Sequence, residues 1–433
     1  MRTRLTRTLI LILLVAVAAS AADRITDLRS TVLLVSIDGF RPDYLGDNTP
    51  NLDSLADRGV RAKWMIPSFP TKTFPNHYTI VTGLYPEHHG IVANNIWDDT
   101  MGLKFAVKDR EQLKNSKWWG GEPIWVTAEK QGVVTAPLDW PGSEAAIEDK
   151  HPTYYREFDS KMSAEERVTQ LLPYFDKPSP ERPRFLTLYM DEVDEAGHDF
   201  GPGSSEVKEA VAKVDAALGK LLSGLRERGI EDQVNIIVVS DHGMAPTSRK
   251  KLVQLDDYVD LKTVMIADWG PPIALRALDG NNAGLLEKLK RIPHAHAYAS
   301  ADLPARLHYS DSPRIMPVLL LPEEGWTINS RDWVEKHPKF EHGGQHGYDN
   351  QDKSMRATFI AAGPAFASHA TLAPFANVHV YSLMAYLLNL HPVKTDGSIN
   401  VFESVLVKST EGPKRIERAP WRGERLEVAS VSH

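Results

Sequence analysis

Three near-continuous apolar runs punctuate the chain, and each ends in acidic residues. Residues 31–37 (TVLLVSI) lead into Asp38-Gly39, and 185–190 (FLTLYM) lead into Asp191 and Asp194. Residues 234–240 (VNIIVVS) lead into Asp241-His242-Gly243. Runs without polar alternation suit strands of a parallel sheet covered on both faces. Helical spacing fills the intervals. Thr49-Pro50 reads as an N-cap and first-turn pair opening a helix that stops at Gly59. From Ser205, the residues Val207, Val211, Val214, Leu218, Leu221, Leu222 and Leu225 recur at 3–4 spacing and end before Gly229. A further strand is expected within 356–362 and a closing helix over 380–388. The alternation predicts an α/β fold: a doubly wound, mixed, mostly parallel sheet with helices on both faces. Residues 245–345, rich in Pro and charge, are expected to form a cap or insertion on the same domain.

The first residues do not belong to that pattern. Arg2, Arg4 and Arg7 precede an apolar run over 9–19, and Ala19-Ser20-Ala21 reads as a cleavage site. The run falls short of the ~20 residues that span a bilayer. A signal peptide over 1–21 is therefore expected, with no stable membrane anchor and a periplasmic or secreted product. The remainder, 22–433, reads as one domain with its core at about 30–405 and a polar tail at 410–433. The chain has 433 residues, 42% hydrophobic and 25% charged, which excludes a disordered chain or a polytopic membrane protein. Removing 1–21 takes away three Arg and no acid, moving the formal charge from −7 to −10. An acidic surface disfavours nucleic-acid polymers as partners.

The chain has no Cys and 16 His, so metal chemistry here falls to His, Asp and Glu. In open α/β sheets, ligands bind beyond the carboxyl ends of the strands. Those ends deliver Asp38, Asp194 with His198, and Asp241 with His242, while His346 lies in a Gly-Gln-His-Gly loop. Carboxylates mixed with imidazoles suit Zn²⁺, with Mn²⁺ or Fe as alternatives. Two such ions can hold both the attacking and the leaving oxygen of an in-line phosphoryl displacement. A nucleophile is offered by Thr73, placed at the N-cap of a helix with Pro75 in its first turn and Gly83 at its end. A hydroxyl there meets free backbone N–H groups that favour a phosphate.

Several segments resemble the nucleotide pyrophosphatase/phosphodiesterases of the alkaline phosphatase superfamily. They are Val35 to Arg41, Thr71 to His77, Thr82 to Pro86, Gly121 to Trp125, Trp140 to Ser143, Asp194 to Pro202, Ser240 to Met244, and His346-Gly347 with Asp349-Asn350. The resemblance implies a catalytic domain with two zinc ions per site. Asp194, His198 and His346 would bind one; Asp38, Thr73, Asp241 and His242 would bind the other. Thr73 would attack phosphorus, forming a phosphothreonine intermediate that yields nucleoside 5′-monophosphates. Asn94 would hydrogen-bond a non-bridging oxygen, and a neutral group there suits a diester better than a monoester. Phe74, Trp140, Phe158 and Tyr189 match positions around the substrate, a small nucleotide; no protein partner is implied. A phospholipid or choline-phosphate diesterase of the same family is one alternative. A sulfatase or phosphonate hydrolase is another, on the near-match from Ser68 to Lys72. A zinc-binding receptor without catalysis is a third. His88, His89, His294, His296 and His342 are expected at the surface or behind the ligands.

Overall fold

The computed structural model describes residues 24–407. The expected signal peptide and most of the tail, including 410–433, lie outside the described residues. A seven-stranded sheet comprises β1 (Thr31–Ile37), β2 (Val60–Ala62), β3 (Thr135–Ala136), β4 (Phe185–Met190), β5 (Val234–Val239), β6 (Phe359–Ala362) and β7 (Ala370–Leu372). Their spatial order is β7-β2-β6-β5-β1-β4-β3. Only β6 runs against its neighbours; the other pairings are parallel. The mixed, mostly parallel sheet expected from the apolar runs is the one observed.

Every residue of β1, β4 and β5 is buried. Successive side chains of a strand point to opposite faces, and β1 shows the division. Val32 and Leu34 join one apolar cluster, while Leu33, Val35 and Ile37 join another. Six helices matter for the site and its support: α1 (Pro50–Asp57), α2 (Thr73–Thr82), α3 (Ala164–Leu171), α4 (Glu192–Phe200), α5 (Ser205–Glu227) and α6 (Val380–Leu388). Leu52, Val168 and Leu218 bring α1, α3 and α5 to the second cluster; Ile80 and Leu383 bring α2 and α6 to the first. Burying each such side chain contributes roughly 1.5–3 kcal/mol. No described helix is long and apolar enough to cross a membrane.

The 245–345 segment carries a second sheet of four antiparallel strands, in spatial order Val264–Asp268, Ile273–Ala277, Val318–Pro322 and Ala295–Ala299. Leu275 and Leu320 pack in a small cluster with Leu285 and Leu289 of the Asn282–Leu289 helix. Ala274, Leu319 and Leu321 instead join the first cluster of the main sheet. This lobe is therefore packed onto the core. A short antiparallel ladder, His342–Gln345 on Ala245–Ser248, then returns the chain toward β5 with Gln345 opposite Ala245.

Two helix starts differ in detail from the sequence reading. Thr49 is the N-cap of α1, but its hydroxyl accepts from the Gly46 N–H at 2.7 Å and leaves the helix uncapped by side chain. Thr73 is the first helical residue of α2, and the N-cap is Lys72. The Thr73 hydroxyl is thereby free of capping duty.

Near the end of α2 lies a buried histidine with a consequence for acid stability. His89 Nδ1 accepts from the Ile91 N–H at 3.1 Å, and Nε2 lies 3.0 Å from Thr79 Oγ1, so the ring is neutral. Burial pushes its pKa down to about 3. Between the unfolded value near 6.5 and that folded value, only the unfolded chain takes the proton, so stability falls as pH falls. The slope is about 1.36 kcal/mol per pH unit, or about 2 kcal/mol at pH 5. Urea unfolding of wild type and His89→Gln at pH 7 and pH 5 should show the wild type losing that much more than the variant.

Candidate active site

Because β5, β1 and β4 are adjacent and parallel, their carboxyl ends open on one edge. The register pairs Ser36 with Val239 and Ile37 with Met190. Asp38 leaves β1, and Asp241 and His242 follow β5, all three buried. On α4, one turn separates Asp194 from His198, placing both on one helix face. The Gly-rich ladder supplies His346. Gly39 makes the close approach possible: its φ is +65°, and a Cβ there would lie 3.0 Å from Asp194 Oδ1. Its N–H donates to Asp241 Oδ1 at 3.2 Å.

Each imidazole of the set is anchored through Nδ1 to a backbone carbonyl. His198 donates to Gly344 O at 3.1 Å, His242 to Gly243 O at 2.9 Å, and His346 to Thr71 O at 2.8 Å. A neutral ring so anchored presents a bare Nε2 lone pair. Those lone pairs face carboxylates: His242 Nε2 is 2.9 Å from Asp241 Oδ2 and 3.5 Å from Asp38 Oδ1. His198 Nε2 is 3.3 Å from Asp194 Oδ2. Asp38 Oδ1, Asp194 Oδ1 and Asp241 Oδ2 are buried without a hydrogen-bond partner among the described residues. Lone pairs turned on anionic oxygens repel unless a cation or a proton lies between them. The donor set therefore fits metal ions. Asp194, His242 and His346, and separately Asp38, His77 and Asp241, bring ligand-type atoms within 4.8 Å of one another.

The titration of these groups shows the same demand for positive charge. Burial lowers His198, but the Asp194 carboxylate outweighs it and raises the ring to about 9. His242 is likewise raised, Asp241 overcoming burial. Burial raises Asp38 well above the ordinary range, and the Asp241 and Asp194 charges add to it. Asp194 is held well below that range, because His198 outweighs the effect of burial. His346, stacked on His242 at 3.6 Å between ring centroids, is pushed well down by burial.

Thr73 projects into the same space, its Oγ1 3.3 Å from His242 Nε2. Asn94 Oδ1 accepts from the Phe74 N–H at 3.1 Å, which orients the amide at the start of α2. Phe74 is half-buried, in contact with Phe105 and Trp119 at 5.9 and 6.3 Å between centroids. Tyr189 is turned inward: its hydroxyl donates to Asp38 Oδ2 at 2.6 Å. Phe158 lies against Tyr189 at 5.6 Å, with the Arg167 guanidinium over its ring. Trp140 is 2% exposed and donates from Nε1 to His77 O at 3.2 Å. Ser68, by contrast, is buried with its hydroxyl donated to Asn377 at 2.8 Å.

His77 was not among the expected site residues, yet it stands in the cluster. Its Nδ1 donates to Thr73 O at 2.9 Å and its Nε2 accepts from the Ser36 hydroxyl at 2.8 Å. Both nitrogens are thus engaged, and His77 braces Thr73 and Asp241 as a positioning residue. The i,i+4 spacing from Thr73 on α2 was the signal for it. Tyr189 is the corresponding support of Asp38. Groups that hold a metal ligand in place typically change affinity 10–100-fold when removed. Tyr189→Phe should weaken metal binding about tenfold in a chelator-competition titration.

The sequence profile described as type I phosphodiesterase / nucleotide pyrophosphatase matches residues 32–349. An uncharacterized pyrophosphatase/phosphodiesterase of Schizosaccharomyces pombe is 42% identical over 86% of this chain and 79% of its own length. The venom phosphodiesterase of Macrovipera lebetinus is 40% identical over 86% of this chain, and ectonucleotide pyrophosphatase/phosphodiesterase family member 3 of Rattus norvegicus is 40% identical over 85%. The chain spans less than half the length of these last two, 44% and 43%. Among solved structures, murine ectonucleotide pyrophosphatase/phosphodiesterase 5 superposes with a TM-score of 0.82 at 34% identity. The match covers 87% of this chain and 100% of that one. An inactive variant of that protein in complex with AMP matches with the same score.

Proposed function

Because this chain belongs to the type I phosphodiesterase/nucleotide pyrophosphatase family, a metal-dependent family of hydrolases, we propose that it hydrolyses nucleotide phosphodiester and phosphoanhydride bonds through a phosphothreonine intermediate. The observation that carries this reading is the cluster of bare imidazole nitrogens and unpartnered carboxylate oxygens, with the Thr73 hydroxyl 3.3 Å from one of those nitrogens, His242 Nε2. Asp194, His198 and His346 would hold one zinc, and Asp38, Asp241, His242 and Thr73 the other. Bound there, the ions supply the Lewis-acid charge that acidifies a hydroxyl and neutralises phosphoryl oxygens.

The chain's own groups do the rest. Thr73 Oγ1 forms a bond to the α-phosphorus as the bond to the leaving alcohol or pyrophosphate breaks. Water then displaces Thr73 from phosphorus, releasing a nucleoside 5′-monophosphate and restoring the hydroxyl. Asn94 donates its amide N–H to a non-bridging oxygen, and the N-terminal N–H groups of α2 favour the same charge. His77 and Tyr189 fix Thr73 and Asp38 through these cycles. Phe74 offers an aromatic face beside Thr73 for the nucleobase, and Trp140 and Tyr189, grouped around His77, with Phe158 against Tyr189, would complete the substrate's surroundings. Residues 22–433 act as one catalytic domain capped by 245–345, in an exported enzyme. The p-nitrophenyl ester of thymidine 5′-monophosphate should be cleaved to 5′-thymidylate, with p-nitrophenyl phosphate slower and the sulfate inert. Cleavage of the sulfate alone would overturn the reading.

A further inference from the structure

The residue that precedes Thr73, as Phe74 follows it, belongs to an arrangement that the reaction above does not use. Lys72, immediately before Thr73, forms a buried ion pair with Asp268 at the end of the lobe strand Val264–Asp268. The two residues are only 4% and 2% exposed. The second carboxylate oxygen of Asp268 accepts from Asn95 Nδ2 at 2.8 Å, so both of its oxygens are engaged. Asn95 follows Asn94, and Lys72 runs against the metal-side loop: a Cβ on Gly347 would meet Lys72 Cε at 3.2 Å and Pro271 O at 1.9 Å. The lobe is thus closed onto the His346-Gly347 turn, with Asp268 positioned to neutralise Lys72, the residue before the nucleophile.

Past Asp268, a cavity of about 430 Å³ is lined by Trp269, Pro271, Trp333 and Gln345, the last adjacent to His346. The basic residue of the cavity's lining, Lys336, is paired with Asp332, which also lines it, at 2.8 Å. A leaving group directed toward this cavity would meet indole faces and a charge-compensated lysine. Pyrophosphate would bring several negative charges against a surface with no unpaired cation among its described lining residues, whereas an uncharged ring-bearing alcohol brings none. Resting on the phosphodiesterase reading, we propose that the Lys72–Asp268–Asn95 cluster is a specificity determinant. It admits uncharged, ring-bearing leaving groups, such as a nucleoside alcohol, and disfavours polyphosphate ones.

The test compares kcat/KM for the p-nitrophenyl ester of thymidine 5′-monophosphate with that for ATP, on the metal-loaded enzyme. One charge-assisted hydrogen bond to phosphate corresponds to roughly tenfold or more. Wild type should favour the ester at least about tenfold. In Asp268→Asn, which frees the Lys72 charge, the ester-to-ATP ratio should fall about tenfold. The ratio cancels any loss common to both substrates, so a merely structural role for Asp268 would not move it. A wild-type ratio under ten, or an unchanged ratio in a folded Asp268→Asn, overturns the proposal. Should the variant fail to fold, the wild-type ratio decides alone. An enzyme that cleaves neither substrate refutes the phosphodiesterase reading as well, whereas cleavage with the wrong ratio refutes only this specificity.

Discussion

Thr73→Ala should abolish turnover of the thymidylate ester even with zinc in excess, when Asp38, Asp241 and His242 still hold the second ion. Removing the nucleophile of a covalent mechanism costs about 10⁴-fold or more in kcat. Among the described residues the fold does not lean on the hydroxyl: Thr73 is not the cap of α2, and the hydrogen-bond contact of its Oγ1 is to His242. Alanine is also a good helix former, so α2 should persist. Thr73→Ser keeps the oxygen and should retain most activity. Metal analysis of both variants separates loss of the nucleophile from loss of the ions. Turnover by Thr73→Ala at the wild-type rate would remove Thr73 from the mechanism.

Stripping the ions should be as severe, and should also destabilise the protein. Without cations, Asp38, Asp194 and Asp241 face each other and the bare Nε2 atoms across a buried space. Each ion bound at a thousandfold over its Kd would stabilise the folded state by about 4 kcal/mol. Chelator treatment should therefore abolish activity and lower the midpoint of thermal unfolding by several degrees. Titration with Zn²⁺ should restore both at two equivalents. Restoration at one equivalent, or activity that survives exhaustive chelation, contradicts the two-ion assignment.

The contrast between what the chain announced and what it concealed has a physical basis. The central strands were legible because burial on both faces leaves them no polar alternation, and β1, β4 and β5 are buried throughout. Asp38, Asp194 and Asp241 were legible because parallel neighbours must deliver their carboxyl ends to one edge. Nothing local marks the partnership of His77 with Ser36, which lies 41 residues earlier and meets it only across the sheet edge. Asp268 was hidden for the same reason: its partners Lys72 and Asn95 are more than 170 residues away. The 245–345 lobe read only as a cap because its strands are short. Ala295–Ala299 has no fully buried residue, which leaves neither an apolar run nor a clear alternation. The start of α2 was misplaced by one residue because Thr is a common N-cap and Lys is not.

That one-residue difference bears on function. At the first helical position, Thr73 makes no capping hydrogen bond to the helix, and its Oγ1 lies instead 3.3 Å from His242 Nε2. His77, one turn later, bonds the Thr73 carbonyl and so holds this turn against the sheet edge. The local structure, the brace and the donor cluster all serve to fix one oxygen.

The stereochemical course at phosphorus tests that account most directly. A thymidine 5′-phosphorothioate p-nitrophenyl ester of known configuration would be hydrolysed in isotopically labelled water and the product configuration determined. Attack by Thr73 followed by attack of water is two in-line displacements, and predicts net retention. Net inversion would mean that water attacks the substrate directly, and would contradict the phosphothreonine mechanism.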